Sequence, residues 1–262
     1  WWGTLQPSHQ RVWADDVAQL LEARIDGNHV HLNNVRNFQW RSETDYTPQW
    51  ESRTYDLDRL RSADLVLSYW MGPHIAHTLV SFGFDGGDRV VFSLEIRKER
   101  HESFSAVGGF FRQFEQILVA ADERDIVRTR SNARGEDVYL YRLQMNQASA
   151  RALFLEFLNA ANELRQKPRF YNTLTSNCTT IVFELARVIA PALPMDYRLL
   201  LSGYFARYVY DMHGLTPGYR YDELQALGHI NERALASDVS EDDFSMSIRQ
   251  GVPGIPANEV NP

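Results

Sequence analysis

The sequence predicts an α+β fold in which an antiparallel sheet packs against helices. Short apolar segments typical of strands occupy much of the first half, and two of them flank a DGGD hairpin turn at residues 85–88. Longer segments with the apolar periodicity of helices follow in the second half. Strands followed by helices, rather than strands alternating with helices, are typical of the α+β class.

The first half is predicted to begin with a helix and continue as a series of strands. Apolar residues at helical spacing predict an amphipathic helix over residues 8–24, ended by Gly27. Alternating residues predict a strand at 29–41, which a polar loop separates from a short segment at 53–57. Apolar runs then predict strands at 63–70, 76–84, 89–97, 110–121 and 137–143, with a short helical crossover at 122–131.

The second half is predicted to be helical. A broad apolar stripe predicts a helix at 149–164, and further helices are predicted at 178–189 and 198–212. From Asp238 onward the chain is polar and rich in Pro and Gly, which predicts an irregular tail or linker. Because there is no internal repeat and no clear boundary, we expect residues 1–262 to form a single domain.

Composition and charge argue against several classes of protein. With 262 residues, 44% hydrophobic and 23% charged, the chain can bury a core and lacks the signature of disorder. A net charge of −7 argues against nucleic acid as a partner. The sequence has no Gly-rich phosphate loop, GxSxG or HExxH motif, so no cofactor and no metal are expected. No apolar run approaches the ~18 residues of a membrane helix, and the start at Trp1 suggests a processed protein or part of a longer one.

The single cysteine, Cys178, is the strongest candidate for a reactive group. It follows the small polar residues of YNTLTSN and precedes an apolar helical pattern, which predicts a position at a helix N-terminus. Unpaired N–H groups at such a terminus stabilise a thiolate and can bind an oxyanion, and we expect Asn177 and Thr179 to support the site. The alternative is a buried, inert thiol.

A thiol nucleophile needs a base, and His77 is the best candidate among eight histidines. It begins the predicted strand 76–84, while His74 lies three residues earlier in a Gly–Pro loop and is the competitor. Mirroring around the hairpin turn places Glu95 close to residue 77 or 78 on the next strand. A carboxylate beside an imidazole fixes its tautomer, although Glu95 could also be an ordinary surface glutamate.

Several segments resemble the Lnb N-terminal periplasmic domain family. They are HIAHTLVSFGF, VFSLEIRKE, FRQFEQILVAADERDIVRTRSN, VYLYRL and FYNTLTSNCTT, in this order, from about residue 41 to residue 190. The resemblance implies a circularly permuted papain-like (NlpC-type) fold, with a core at about 41–190 and a helical and irregular extension at 191–262. In such permuted proteins the histidine strand comes first, an orienting residue follows and the cysteine helix comes last, which matches His77, Glu95 and Cys178.

The resemblance also implies an activity and a location. It implies a thiol acyltransferase that moves an acyl chain from a phospholipid through a Cys178 thioester to an amine, as in lipoprotein N-acylation. A periplasmic location follows from it, with a tether to the inner membrane by segments outside this chain. Two alternatives stay open: a Cys–His–Glu hydrolase acting as a cell-wall amidase or endopeptidase, and a periplasmic binding domain without catalysis.

Overall fold

An eight-stranded sheet forms the centre of the part of the protein that the structure describes. The computed structural model describes residues 6–102, 114–172, 176–240 and 243–260. Its strands are β1 (Glu22–Asp26), β2 (His29–Arg36), β3 (Gln39–Trp40), β4 (Tyr46–Thr47), β5 (Trp50–Asp56), β6 (Leu60–Tyr69), β7 (Ala76–Phe84), β8 (Arg89–Arg97), β9 (Glu115–Ala121) and β10 (Asp137–Arg142). The β3 and β4 strands pair separately as a small ribbon.

The strands of the main sheet follow the order β1-β2-β9-β8-β7-β6-β10, and β5 also pairs with β2. The pairing is antiparallel except between β2 and β9, which run parallel where Arg36 lies opposite Ala121. The sheet is therefore mixed, since this one junction is parallel and every other pairing among the described strands is antiparallel, as the sequence predicts. A hairpin turn in the sequence predicts pairing only between consecutive strands. It cannot predict the pair β2 and β9, which are far apart in the chain.

Helices cover both faces of this sheet. They are α1 (Glu123–Arg128), α2 (Gln147–Gln166), α3 (Cys178–Ile189), α4 (Phe205–Asp211), α5 (Tyr221–Gly228), α6 (Asn231–Ser240) and α7 (Phe244–Ser247). The first face, with Val80, Phe82 and Phe92, packs against the apolar stripes of α2 and α3. The second face, with Leu79 and Val91, packs against α1, α6 and α7. Successive strand residues thus enter different cores, because side chains alternate across a sheet.

The predicted N-terminal helix at residues 8–24 is wrong. A single 3₁₀ turn occupies Asp15–Val17, and residues 22–26 form β1, which pairs with β2. Gly27 adopts a φ of 61° in the two-residue turn between these strands. A glycine with positive φ is common both at helix ends and in tight hairpin turns. The helical spacing of the apolar residues favours the helix, whereas the structure has the hairpin.

The other predicted elements are found with shifted boundaries. The strand predicted at 29–41 divides into β2 and β3, and the strand predicted at 110–121 is β9, although residues 110–113 lie outside the described residues. The helix predicted at 198–212 divides into 3₁₀ turns at Tyr197–Leu199 and Ser202–Tyr204, followed by α4. The division into a core at 41–190 and an extension stays a prediction.

The C-terminal segment contains much irregular chain, as the sequence predicts, but it packs against the sheet and includes short helices. It contains the end of α6, then α7, and it places Arg249 against the second face of the sheet with no exposed surface. The Arg249 guanidinium donates from Nη2 to Asp64 Oδ2 at 2.9 Å and from Nη1 to Glu123 Oε2 at 2.8 Å. Arg142 also donates to Asp64, at 2.6 Å. This segment therefore supplies the cation for a buried ion cluster.

Substitution Arg249→Met tests this cluster. It leaves Asp64 and Glu123 buried without their shared cation, and breaking a buried pair in this way costs about 3–5 kcal/mol. We expect the midpoint of urea unfolding to fall accordingly at pH 7. The matched control is Arg41→Met, which removes an exposed pair with Asp45 and should leave the unfolding midpoint almost unchanged, because water screens exposed ion pairs.

The cost of Arg249→Met should also depend on pH. Burial alone would raise the pKa of both carboxyls, but Arg249, the largest opposing influence, holds the pKa of Asp64 and that of Glu123 below their usual values. Their stabilising contribution is therefore complete above their unfolded-state values near pH 4 and is lost as the pH falls through the lower folded-state values. We expect the wild-type and Arg249→Met unfolding midpoints to converge in acid. Equal differences at pH 7 and pH 3 would contradict the prediction.

Candidate active site

The sheet opens between β7 and β8 at one end. Their antiparallel ladder stops where Leu79 lies opposite Ser93, while β7 stays paired with β6 and β8 with β9 beyond this point. Continuing the register places His77 opposite Glu95, on the two sides of the opening. The predicted proximity of these two residues is confirmed, and the opening leaves room for their side chains to meet a third group.

Helix α3 brings that third group, because Cys178 is its first residue. The Asn177 side chain caps the helix by accepting the N–H groups of Thr179 and Thr180, both at 2.9 Å. The Thr179 hydroxyl lies 2.8 Å from the hydroxyl of Thr78 and joins the helix start to β7. Cys178 is 94% buried, and the predicted position of its thiol at a helix N-terminus is confirmed.

His77 and Glu95 form a hydrogen-bonded pair. The imidazole Nε2 lies 3.1 Å from Glu95 Oε1 and 2.6 Å from the hydroxyl of Ser93, which in turn donates to Glu95 Oε1 at 2.7 Å. These contacts assign the hydrogen to Nε2 and leave Nδ1 as the ring nitrogen for the hydrogen bond to Cys178. The imidazole can therefore exchange a proton with the thiol while Glu95 fixes its orientation.

The charges in this site favour a thiolate and an imidazolium. Burial opposes ionisation of Cys178, but His77 lowers the pKa of the thiol below its ordinary value through its charge and its hydrogen bond. Burial and Arg130 oppose protonation of His77, yet Glu95 and Cys178 raise the pKa of the imidazole to about 9. Burial also opposes the Glu95 charge, and His77 and Arg130 hold the pKa of this carboxyl well below its usual range.

Two backbone N–H groups complete the surroundings of the sulfur. The Thr78 N–H donates a hydrogen bond to Cys178 Sγ and further stabilises the thiolate. The Cys178 N–H donates to the hydroxyl of Tyr171, a residue that precedes the helix. An N–H beside the sulfur, with a phenol next to it, is positioned to bind the oxygen of an acyl group attached to Cys178.

The residues predicted to support the site differ in position and contacts. Asn177 is a helix cap and Thr179 an anchor to β7, so both position the helix start. His74 is exposed in the loop before β7, where its Nδ1 lies 2.6 Å from the hydroxyl of Tyr204. Among the described contacts His74 makes none with Cys178, and the geometry favours His77 as the partner of the thiol.

Three further residues of the site, Ser93, Arg130 and Tyr171, are not predicted from the sequence. Ser93 lies two residues before Glu95 and therefore on the same face of β8, a signal that was available. Arg130 donates to Glu95 Oε1 at 2.9 Å from a π-helical turn at Thr129–Ala133 that follows α1. Its segment was predicted only as a helical crossover, and nothing in its local pattern indicates which strand it reaches.

The described residues hold no cluster of three or more His, Cys, Asp or Glu side chains that could bind a metal ion. The acidic DERD segment at 122–125 has structural partners. Asp122 caps α1, Glu123 binds Arg249, and Asp125 accepts from Arg36 at 2.8 Å. This segment is thus explained by packing and capping.

Comparison with known proteins gives a family. The model of the Lnb N-terminal periplasmic domain matches residues 46–203, more than half of the chain and all of the candidate site. The chain belongs to this family. No curated protein and no solved structure matched it. As an Lnb N-terminal periplasmic domain, it is assigned to the periplasm. Within the described residues of this Lnb domain, no helix is long and apolar enough to cross a membrane.

The pKa shifts predict unusual reactivity for the thiol of this Lnb domain. Because the pKa of Cys178 is lowered and that of His77 is raised to about 9, the thiolate should form at a lower pH than in an ordinary thiol, beside a protonated imidazole. We expect iodoacetamide to alkylate Cys178 at pH 6, where an ordinary thiol with a pKa of about 8.5 reacts slowly. The measurement is the alkylation rate against pH by mass spectrometry.

The variant His77→Asn should slow alkylation at pH 6 by at least about tenfold, since burial then raises the thiol pKa and only the Thr78 N–H still opposes it. The matched control is His74→Asn, in the neighbouring exposed loop, which should react like the wild type. Rapid alkylation of His77→Asn, or equal loss in both variants, would argue against the assigned pair.

Proposed function

We propose that this protein is a cysteine acyltransferase that takes an acyl chain from a phospholipid and passes it to an amine. The observation that carries the proposal is the Cys178 thiol at a capped helix start, paired with a His77 imidazole that Glu95 orients. A nucleophile, a base and an orienting carboxylate in this arrangement are the parts of nucleophilic acyl transfer. The family assignment supports the same reading at the level of the domain.

The proposed reaction has two halves. In the first, the Cys178 thiolate attacks the ester carbonyl, and the His77 imidazolium protonates the departing glycerol oxygen to release a lysophospholipid. In the second, an amine attacks the thioester, His77 accepts its proton, and an amide forms as the thiolate leaves. General acid–base assistance of this kind contributes about 10²–10⁴-fold. The Cys178 N–H, with the hydroxyl of Tyr171, binds the developing oxyanion in both halves.

An exposed apolar surface beside the site supports a lipid donor. It comprises the loop residues Trp70 and Met71 together with Met195, Tyr197, Leu200 and Leu201. The two segments meet where the Gly203 N–H donates to the His74 carbonyl at 2.9 Å and the Ala76 N–H donates to the Ser202 hydroxyl at 2.9 Å. Because Ala76 directly precedes His77, the two segments that carry these exposed side chains meet close to the candidate site. Trp and Tyr among aliphatic side chains are typical of membrane interfaces.

We also propose a structural relationship, an acceptor and a membrane tether for this protein. The order of histidine strand, carboxylate strand and cysteine helix supports a permuted papain-like fold of the NlpC type. For the acceptor we propose the N-terminal amine of a lipoprotein. We further propose that segments outside this chain tether the domain to the inner membrane, where donor and acceptor both reside.

Intact mass spectrometry tests the first half-reaction. After incubation with a phospholipid mixture, we expect an acyl adduct on Cys178 that hydroxylamine removes, since a thioester reacts with this amine. Cys178→Ser should lose the thioester adduct, and His77→Asn should form it at least about 10²-fold more slowly. His74→Asn is the control and should match the wild type.

Adding an amine acceptor decides between the proposed activity and hydrolysis. With a diacylglyceryl peptide that begins with cysteine, a transferase converts the adduct into an N-acyl peptide. Release of free fatty acid without N-acylation would identify a hydrolase instead. Absence of any adduct, with a reactive Cys178 thiol, would reject the lipid donor.

Vesicle binding tests the apolar surface. We expect the protein to sediment with phosphatidylethanolamine–phosphatidylglycerol vesicles, and the double variant Met195→Asp, Leu200→Asp to sediment at least about tenfold less, because it places charges in the apolar surface. Hydrolysis of a soluble short-chain thioester should stay unchanged in this variant. The matched control is Leu235→Asp, an equally exposed leucine on α6. Equal binding by all three proteins would contradict the assignment of the surface.

A further inference from the structure

We propose that Arg130 is a positioning residue: it holds Glu95 against His77, and its charge at the same time opposes the charge of the imidazolium. This inference rests on the proposed function for its effect on acyl transfer, but its geometric basis is independent of the substrate. Arg130 lies on the second face of the sheet, whereas Cys178 arrives from the first face. The two groups meet the His77–Glu95 pair from opposite sides of the opening between β7 and β8.

Three donors converge on one oxygen of Glu95. Arg130 Nη2 donates to Oε1 at 2.9 Å, the Ser93 hydroxyl donates at 2.7 Å, and His77 Nε2 lies at 3.1 Å. The Arg130 side chain is only 8% exposed, so this charge-assisted contact is largely shielded from water. A carboxylate held at three points has little freedom to rotate away from the imidazole.

The other end of the guanidinium is held as well. Arg130 Nη1 lies 3.4 Å from Glu136 Oε2, and the hydroxyl of Ser68 donates to the same carboxylate oxygen. Ser68 is the direct cross-strand partner of His77 on β6. Arg130 is thus anchored to both strands that lie beside His77, through Glu136 on one side and Glu95 on the other.

The backbone that carries Arg130 is itself unusual. Thr129–Ala133 forms a π-helical turn directly after α1, and such turns are frequent at functional sites. A continued α-helix would place the following side chains at different angles around the helix axis. The turn therefore gives Arg130 its direction toward the opening in the sheet.

The charges also balance around this residue. The anionic groups are Glu95, Glu136 and the Cys178 thiolate, and the cationic groups are His77, Arg130 and Arg134, which lies 3.7 Å from Glu136. Removing Arg130 leaves one excess negative charge in a poorly solvated site. Glu95 would then attract the imidazolium without the opposing charge of Arg130, so the proton would leave His77 at higher pH.

The test is the alkylation of Cys178 by iodoacetate, an anionic reagent that the positive charge of the His77 imidazolium attracts. The titratable and charged groups that face His77 are Glu95 from β8, Arg130 from the π-helical turn and Cys178 from α3. The rate should fall as His77 loses its proton, near pH 9 in the wild type. We expect this descending limb to move to higher pH in Arg130→Gln and to lower pH in Glu95→Gln.

The controls separate a positioning role from loss of fold. Arg128→Gln removes a neighbouring arginine that pairs with Asp238 at 2.6 Å, and it should leave the limb in place. Arg130→Lys keeps the positive charge, so the descending limb of the iodoacetate profile should stay near pH 9. The rate of acyl transfer should fall in part. If Arg130→Gln fails to fold, a shifted limb in Arg130→Lys would contradict the proposal by itself.

A double-mutant cycle tests whether Arg130 acts through Glu95. On acyl transfer, Arg130→Gln should lower the rate about tenfold in the wild type and produce little further loss in Glu95→Gln, because the contact is already absent. Equal losses in both backgrounds, or a limb that stays in place in Arg130→Gln, would overturn the inference. If no acyl adduct forms at all, the proposed function fails, whereas the iodoacetate profile still decides the role of Arg130.

Discussion

The opening between β7 and β8 is the feature on which the candidate site depends. If the ladder continued past Leu79 and Ser93, His77 and Glu95 would be ordinary cross-strand neighbours and the N–H and C=O groups between the strands would pair. Because the strands separate there, the Thr78 N–H can donate to the Cys178 sulfur instead. The sheet gives up backbone hydrogen bonds at this end, and the helix N-terminus and the side-chain contacts replace them.

The opening also explains why the site draws on both faces of the sheet. Cys178 belongs to a helix packed on the first face, where apolar neighbours exclude water and would by themselves disfavour a thiolate. The counter-charges come from His77, Glu95 and Arg130, whose contacts lie toward the second face. Because the apolar neighbours lie on one face and the charged partners on the other, the site can be poorly solvated and still hold charged groups.

Local sequence predicted the parts of this site that depend on neighbours in the chain. The turn at 85–88 fixes the register that brings His77 and Glu95 together, and the polar-to-apolar change before Cys178 fixes the helix start. Arg130 could not be found in this way, because its contact with Glu95 depends on how α1 packs across the sheet. The same limit applies to β1, where Gly27 fits a helix end and a hairpin equally well, and only pairing with β2 decides.

The buried ion cluster on the second face connects the C-terminal segment to the same strands. Arg249 binds Asp64 of β6, and it binds Glu123 at the start of the helix that leads into the π-helical turn of Arg130. Since β6 also carries Ser68, the partner of Glu136, one arginine from the C-terminal segment holds both elements that flank Arg130. A residue more than a hundred positions from His77 in the chain therefore belongs to the scaffold that fixes its orienting carboxylate.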